Sequence, residues 1–122
     1  MHAQDACRSL NGDLIIEYKD FEKVDMRVGI IIKVEDFPEA KKPAYKLTID
    51  FGEGIGIKRS SAQITNYRKE DLIGRKVVAV ANFPPKQVAN FISEVLVLGA
   101  ITSEGVKLLS IYPDAPPGSR IG

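Results

Sequence analysis

The chain has 122 residues, 44% apolar and 27% charged, with a formal net charge of +1. That length and balance fit one domain around one core, and the near-zero charge argues against strong nonspecific affinity for nucleic acid. No apolar run approaches the roughly 20 residues of a membrane-crossing helix, the single Cys7 has no disulfide or zinc partner, and the only histidine, His2, lies at the extreme N-terminus, away from any catalytic pattern.

Residues 1–18, "MHAQDACRSLNGDLIIEY", read as an appended leader, without the basic-then-apolar order of a signal peptide, so a cytoplasmic setting is expected. The domain proper is expected to span 19–122. Within the leader, Leu14, Ile15 and Ile16 form an apolar, β-prone run between Asp13 and Glu17. Such a run is expected to dock in trans, like a client, near Phe83, Lys86 and "KRSSAQI", or alternatively to be held by a crystal neighbour or to form a short helix on its own barrel. Met26, Val28, Ile30, Ile32 and Val34 then alternate with other residues at period two, a long first strand. "FPEAKKPAY" is a loop, because two prolines and a charge cluster break the alternation. Tyr45, Leu47, Ile49 and Phe51 give a second strand, "GEG" a turn, and Ile55–Lys58 the start of a third.

"SSAQITNY" reads as irregular, and "RKEDLIGR" as one short helix stopped by Gly74. Strands four and five are expected at about 76–82 and 94–101. They are apolar on both faces, so one face should be covered by a second copy with the Pro-rich tail crossing it. A last strand is expected over Val106–Ile111. The sum is an all-β domain: a small closed barrel of five to six strands with a short helix between strands three and four, the order of an OB-fold, plus N- and C-terminal extensions.

Motifs for chemistry fail their own context. "GEGIGIK" does not end in Gly-Lys-Ser/Thr and opens no helix, so it is a hairpin rather than a phosphate loop. Ser60-Ser61 has no evident base, and the pairs Glu70-Asp71 and Asp36/Glu39 have no zinc-type companions. No catalytic residue, metal ligand or cofactor is expected. The charge distribution is more informative. Residues 41–86 hold ten cations and four acids, a local +6, between flanks of −4 and −1. Such a basic middle is a candidate binding face, its alternative being solvated surface. OB-folds bind on strands two and three and their loops, which here supply Lys46, Lys58 and Arg59. "KRSSAQI" adds Ser60, Ser61 and Gln63, a mix able to hold phosphate, peptide backbone or a base. "VANFPPKQVANF", residues 80–91, puts Asn82, Phe83, Lys86 and Phe91 around a stiff diproline between two apolar strands, with Ser93 just beyond.

The segments "DFEKVDMRVGIIIKVEDFPEAKKPAYKLTIDFG", "SSAQI", "EDLIGRKVVAVANFPPKQVANFISEVLVLG" and "PPGSRIG" resemble the bacterial export-chaperone branch of the tRNA-binding-domain family. Its relatives are appended to methionyl- and phenylalanyl-tRNA synthetases. The resemblance covers about residues 19–122. It implies a homodimer without enzymatic activity that binds precursor proteins or peptides, with SecA-type export machinery as partner. The tRNA-binding branch follows its Asn-x-x-Pro segment with a basic-Gly pair and later Ser-x-Gly-Met. Asn82, Pro85, Lys86 and Ser93 match that pattern, but Ala89-Asn90 and Val95-Leu96 replace the two Gly-containing pairs. The loop has lost a cation and gained apolar bulk. The expectation is therefore ATP-independent binding of unfolded or peptide-like segments, through contact area from Phe83 and Phe91 and polar bonds from Asn82 and Lys86. A tRNA-binding module, with weak tRNA affinity, is the alternative, and a dimerisation module with no ligand is a third.

Overall fold

The computed structural model describes residues 14–122; the expectations on residues 1–13 of the leader fall outside them. A short helix, α1 (Tyr18–Glu22), opens the described chain, with the Glu17 N–H donating to Asp20 Oδ2 at 3.0 Å across its first turn. β1 (Met26–Asp36) is long enough to serve two partners. Its first half pairs antiparallel with β4 (Lys76–Val80) and its second half with β2 (Tyr45–Asp50). A register shift between Ile31 and Lys33 lets it do both, by bending the strand and turning Ile32 outward. β3 (Ile57–Ala62) pairs with β2, and β7 (Leu96–Val97) with β4, giving the order β3-β2-β1-β4-β7.

The barrel nearly closes between β3 and the segment entering β7. The Glu94 N–H donates to Arg59 O at 2.8 Å, and Arg59 N–H donates back to Glu94 Oε1 at 3.0 Å. Inside lie Ile31, Leu47, Ile49, Phe51, Ile64, Val77, Ala79 and Val95, all buried. Gly29 is a glycine because a Cβ there would sit 2.6 Å from Ile49 Cγ2 and 2.7 Å from Phe51 Cε1. α2 (Lys69–Leu72) follows β3, as expected, and contributes the fully buried Leu72 to this core. Gly74, at φ +85°, reverses the chain and donates its N–H to Ile31 O at 2.7 Å.

The structure departs from the sequence expectations at four places. Ser60, Ser61 and Ala62 belong to β3 rather than to an irregular segment, because β2 continues to pair with them. The loop after β4 carries a hairpin of its own, β5 (Lys86–Val88) and β6 (Phe91–Ser93). The expected fifth strand breaks in two. β7 stays in the barrel, while β8 (Gly99–Thr102) leaves it to pair with β9 (Gly105–Leu108), which ends sooner than residue 111. Gly99 permits this close pairing, since a Cβ there would lie 2.7 Å from Lys107 O.

The fourth departure concerns the apolar outer face. Val28, Val78 and Val80 lie outside the main core cluster, yet they are buried within the single chain. The tail lies along the same half of β1. Val28 N–H donates to Ser119 O, Gly118 N–H to Val28 O, and Ile121 N–H to Met26 O. Lys76 Nζ holds the tail's base through Asp114 Oδ1 at 2.9 Å and Ala115 O at 2.8 Å. The tail therefore adds to the edge of β1 opposite β4. Val28, Val78 and Val80, part of the face expected to meet a symmetry mate, are already buried within the single chain, whereas Leu96 and Ile101 stay exposed.

Candidate binding grooves around the second hairpin

The diproline fixes two φ angles ahead of β5, and a two-residue turn, Ala89-Asn90, returns the chain as β6. Ala89 sits at φ +53°, a conformation that glycine usually supplies. The hairpin leans on β3: Ser61 N–H donates to Ser93 Oγ at 3.0 Å. Its position leaves two adjoining depressions. One, of about 390 Å³, is lined by Phe83, Pro84, Lys86, Ser93, Glu94, Val95 and Leu96. The other, of about 560 Å³, runs from Ser61 and Gln63 past Lys86, Gln87 and Val88 to Leu96, Ile101 and Val106. Lys86, Ser93, Val95 and Leu96 belong to both, so the two form one groove bent around Lys86. Phe83 is 51% exposed and Ile101 70% exposed, which is high for side chains of their size.

A separate cluster lies behind the hairpin. Phe91 is only 3% exposed and packs edge-on against Phe37, with ring centroids 5.5 Å apart. The Arg59 guanidinium lies 4.4 Å from the Phe91 centroid. Lys46 Nζ stands 4.9 Å from the Phe37 centroid and 5.6 Å from that of Phe91. Arg59 also reaches Glu35 Oε1 at 3.6 Å, so its charge is partly met inside the chain.

The structure thus sorts the expected site residues. Ser61, Gln63, Phe83, Lys86 and Ser93 come together in the groove. Lys46 and Arg59 form a cationic platform over Phe37 and Phe91, in which Phe91 is interior rather than contact surface. Ser60 is fully buried, and its hydroxyl donates to Val95 O at 2.9 Å, so it supports the groove from beneath. Lys58 does not join Lys46 and Arg59. It pairs with Ile49 and so shares the parity of the interior residues, whereas Thr48 and Arg59 pair on the outer face. Asn82 is committed to the fold: its Oδ1 accepts from Asp25 N–H at 3.0 Å and its Nδ2 donates to Lys23 O at 2.6 Å. This amide ties the exit of α1 to the start of the hairpin loop. Leu96, Ile101, Val106 and Gln87 escaped sequence reasoning as site residues. Leu96 and Ile101 lay inside what read as one apolar strand, and only Gly99 marked the break.

The basic middle is less basic than its count. Of its ten cations, Arg59, Arg68, Lys69 and Lys76 stand in ion pairs. Hydrogen bonding to Asp36 holds Lys69 above the usual lysine range, and Asp71 does the same for Arg68. The bond from Lys76 holds Asp114 below the usual carboxylate range, helped by Ala115 N–H. No carboxylate among the described residues lies within ion-pair distance of Lys86. Among those residues, no three metal-ligating side chains converge, and no helix is long and apolar enough to cross a membrane.

Comparison with known proteins adds the family. Residues 26–120 match the model of the tRNA-binding domain. The chain is 35% identical over 112 residues to a methionine–tRNA ligase of Methanocaldococcus jannaschii, and 37% identical to that of a Janthinobacterium species. These alignments cover 87% and 88% of the chain but only 16% of each ligase, so the likeness is to a small part of those enzymes. Among solved structures, the CsaA chaperone of Picrophilus torridus is 65% identical with a TM-score of 0.86, over 88% of this chain and all of that one. The chaperone CsaA of Bacillus anthracis is 49% identical with a TM-score of 0.83, over 88% and 99%. A methionyl-tRNA-synthetase-related protein of Pyrococcus horikoshii follows at 29% and 0.78, over 88% and 98%. The tRNA-binding domain and the CsaA chaperone are non-catalytic domain types. From its barrel and from these matches, the chain belongs to the tRNA-binding-domain family.

Proposed function

We propose that the domain is a passive, ATP-independent chaperone, not an enzyme, that holds unfolded or peptide-like segments of precursor proteins in the cytoplasm as a homodimer. The observation that carries this reading is the bent groove. Its lining is dominated by apolar side chains, including the exposed Phe83, Leu96 and Ile101, and its one cation among them is Lys86. Such a surface gains by covering apolar area, whereas a phosphate track needs several unpaired cations in line. Holding competes with aggregation by mass action and needs no nucleotide. The likeness to CsaA chaperones supports the same reading. SecA-type export machinery, by the same resemblance, is the proposed downstream partner.

The homodimer is proposed through the N-terminal side. Leu14, Ile15, Ile16 and, beyond Glu17, Tyr18 are each more than half exposed, apolar surface that a second copy would cover. This assignment leaves the groove open. A tRNA-binding module is the second reading, favoured by the family match and by the Lys46–Arg59 platform.

Light scattering of a diluted, denatured client tests the chaperone reading. Stoichiometric suppression that is indifferent to ATP and lost in Leu96→Asp is expected. Aggregation at the same rate with and without the protein would contradict it. Sedimentation equilibrium at micromolar concentration should return twice 13.4 kDa; a clean monomer would remove the dimer.

A further inference from the structure

The groove has a direction and a hydrogen-bonding edge. All three residues of β5 line its longer arm, while of β6 only Ser93 does, so the groove runs along the outer edge of β5. The hairpin turn has two residues, which makes Val88 and Phe91 the hydrogen-bonded pair that closes it. Pairs alternate along an antiparallel ladder, so Gln87 and Ile92 are a non-bonded pair. The Gln87 N–H and C=O therefore point away from β6, toward the groove. No described residue bonds either group; only the Gln87 side chain is engaged, its Nε2 donating to Ala89 O at 3.0 Å. Upstream, Pro85 lacks an N–H, which limits the open edge to about the length of β5.

We propose that an extended protein segment docks here by strand addition. It exchanges hydrogen bonds with the backbone of Gln87, lays alternate apolar side chains toward Leu96 and Ile101, and sets an acidic group against Lys86. The occupant follows from the edge and from charge. A free N–H and C=O pair selects extended backbone, and the apolar floor selects every second side chain. Lys86, which shares the groove lining with Glu94 but is in ion-pair contact with no carboxylate among the described residues, selects a carboxylate. This rests on the holding reading and names how a client is gripped.

The probe is a fluorescein-labelled peptide, Glu-Val-Thr-Val-Thr-Leu amide, followed by anisotropy with the full chain. Two analogues carry N-methyl groups on the odd or on the even residues. One set should bind roughly tenfold more weakly, since a docking hydrogen bond is lost and the methyl group intrudes, while the other should stay within about twofold. Gln87→Pro removes only the outward N–H, leaves the bonds to β6 in place, and should weaken the parent peptide several-fold. Gln87→Thr, which keeps the N–H, should not. Lys86→Glu should reverse the preference between this peptide and its lysine-for-glutamate analogue. If both N-methylated sets bind like the parent, strand addition is overturned and the holding reading stands. If the parent and a chemically denatured client both fail to bind, both are overturned. The N-methyl arm uses the unaltered protein, so a misfolded proline variant cannot leave the matter open.

Discussion

Two phenylalanines of the same loop should separate fold from function. Phe91→Ala removes a ring that is 3% exposed, in edge contact with Phe37 and beneath the Arg59 guanidinium. Buried Phe→Ala changes cost about 3–5 kcal/mol. This cluster is small, with Ala44 as its only other buried apolar member, so the lower end, about 3 kcal/mol, is expected. The stacking of a half-exposed Arg59, about 0.5–1 kcal/mol, falls within that figure. Against the 5–15 kcal/mol of an ordinary domain, the variant stays folded but weakened. Phe83 is 51% exposed, so Phe83→Ala gives up about half of a burial worth ~1.5–3 kcal/mol, roughly 1 kcal/mol. The exposed half is what a client would cover, and its loss should weaken peptide binding about fivefold. Urea unfolding by circular dichroism reads the first quantity and peptide anisotropy the second. If Phe83→Ala destabilises more than Phe91→Ala, or if Phe91→Ala costs less than about 1 kcal/mol, the assignment of interior and contact surface is wrong.

Asn82→Ala cuts both ties to Lys23 and Asp25 and should cost about 1–2 kcal/mol, with amide exchange at Asp25, just ahead of β1, accelerated more than at the β1 amides. Gly118→Ala meets two obstacles, a backbone at φ +92° and a Cβ 2.8 Å from Phe51 O. It should loosen the tail from β1 and lower stability by at least about 1 kcal/mol in urea titration. The Asp114–Lys76 bond gives the tail a pH dependence. Asp114 titrates lower in the folded state than in the unfolded chain, so its contribution is present above about pH 4 and is lost as pH falls through the lowered value. Exchange at the Gly118 amide, which donates to Val28 O, should therefore rise below about pH 4 relative to unfolded-chain rates, and Asp114→Asn should abolish that step.

Period-two alternation made β2 legible, because Leu47 and Ile49 repeat on its buried face. In β1 it marked the strand but not the interior face, since Val28 is buried on the outer side and the shift between Ile31 and Lys33 puts Ile31 inside and Ile32 out. Gly74 was legible for a related reason: a helix stop at positive φ selects glycine. The split of residues 94–101 was not legible, since Leu96, Val97 and Ile101 are equally apolar in the barrel and in the outlying hairpin. What separates them is the close approach of Gly99 to Lys107 across the β8–β9 hairpin, a pairing that the apolar pattern does not encode. The same limit governs the site. Lys86 and Phe83 announced themselves as a cation and an aromatic in a stiff loop. The roles of Asn82 and Phe91 depended on partners at Lys23 and Phe37, which no local pattern reveals. Lys58 was misplaced because the register of β3 against β2, rather than its neighbourhood in sequence, decides which way it faces.

The central claim is that the groove serves an apolar protein segment rather than a phosphate backbone. Salt separates the two. Binding that neutralises Z phosphates of single-stranded nucleic acid falls with a log–log slope of about −0.7Z, whereas apolar contact holds or strengthens as salt rises. Anisotropy of labelled tRNA and of a labelled unfolded client, each titrated with the protein from about 50 mM to about 500 mM salt, measures both. The account predicts client affinity that is flat or rising, and tRNA binding that is weak at low salt and gone at high salt. Tight tRNA binding that persists at physiological salt, with no client binding at any salt, would contradict it.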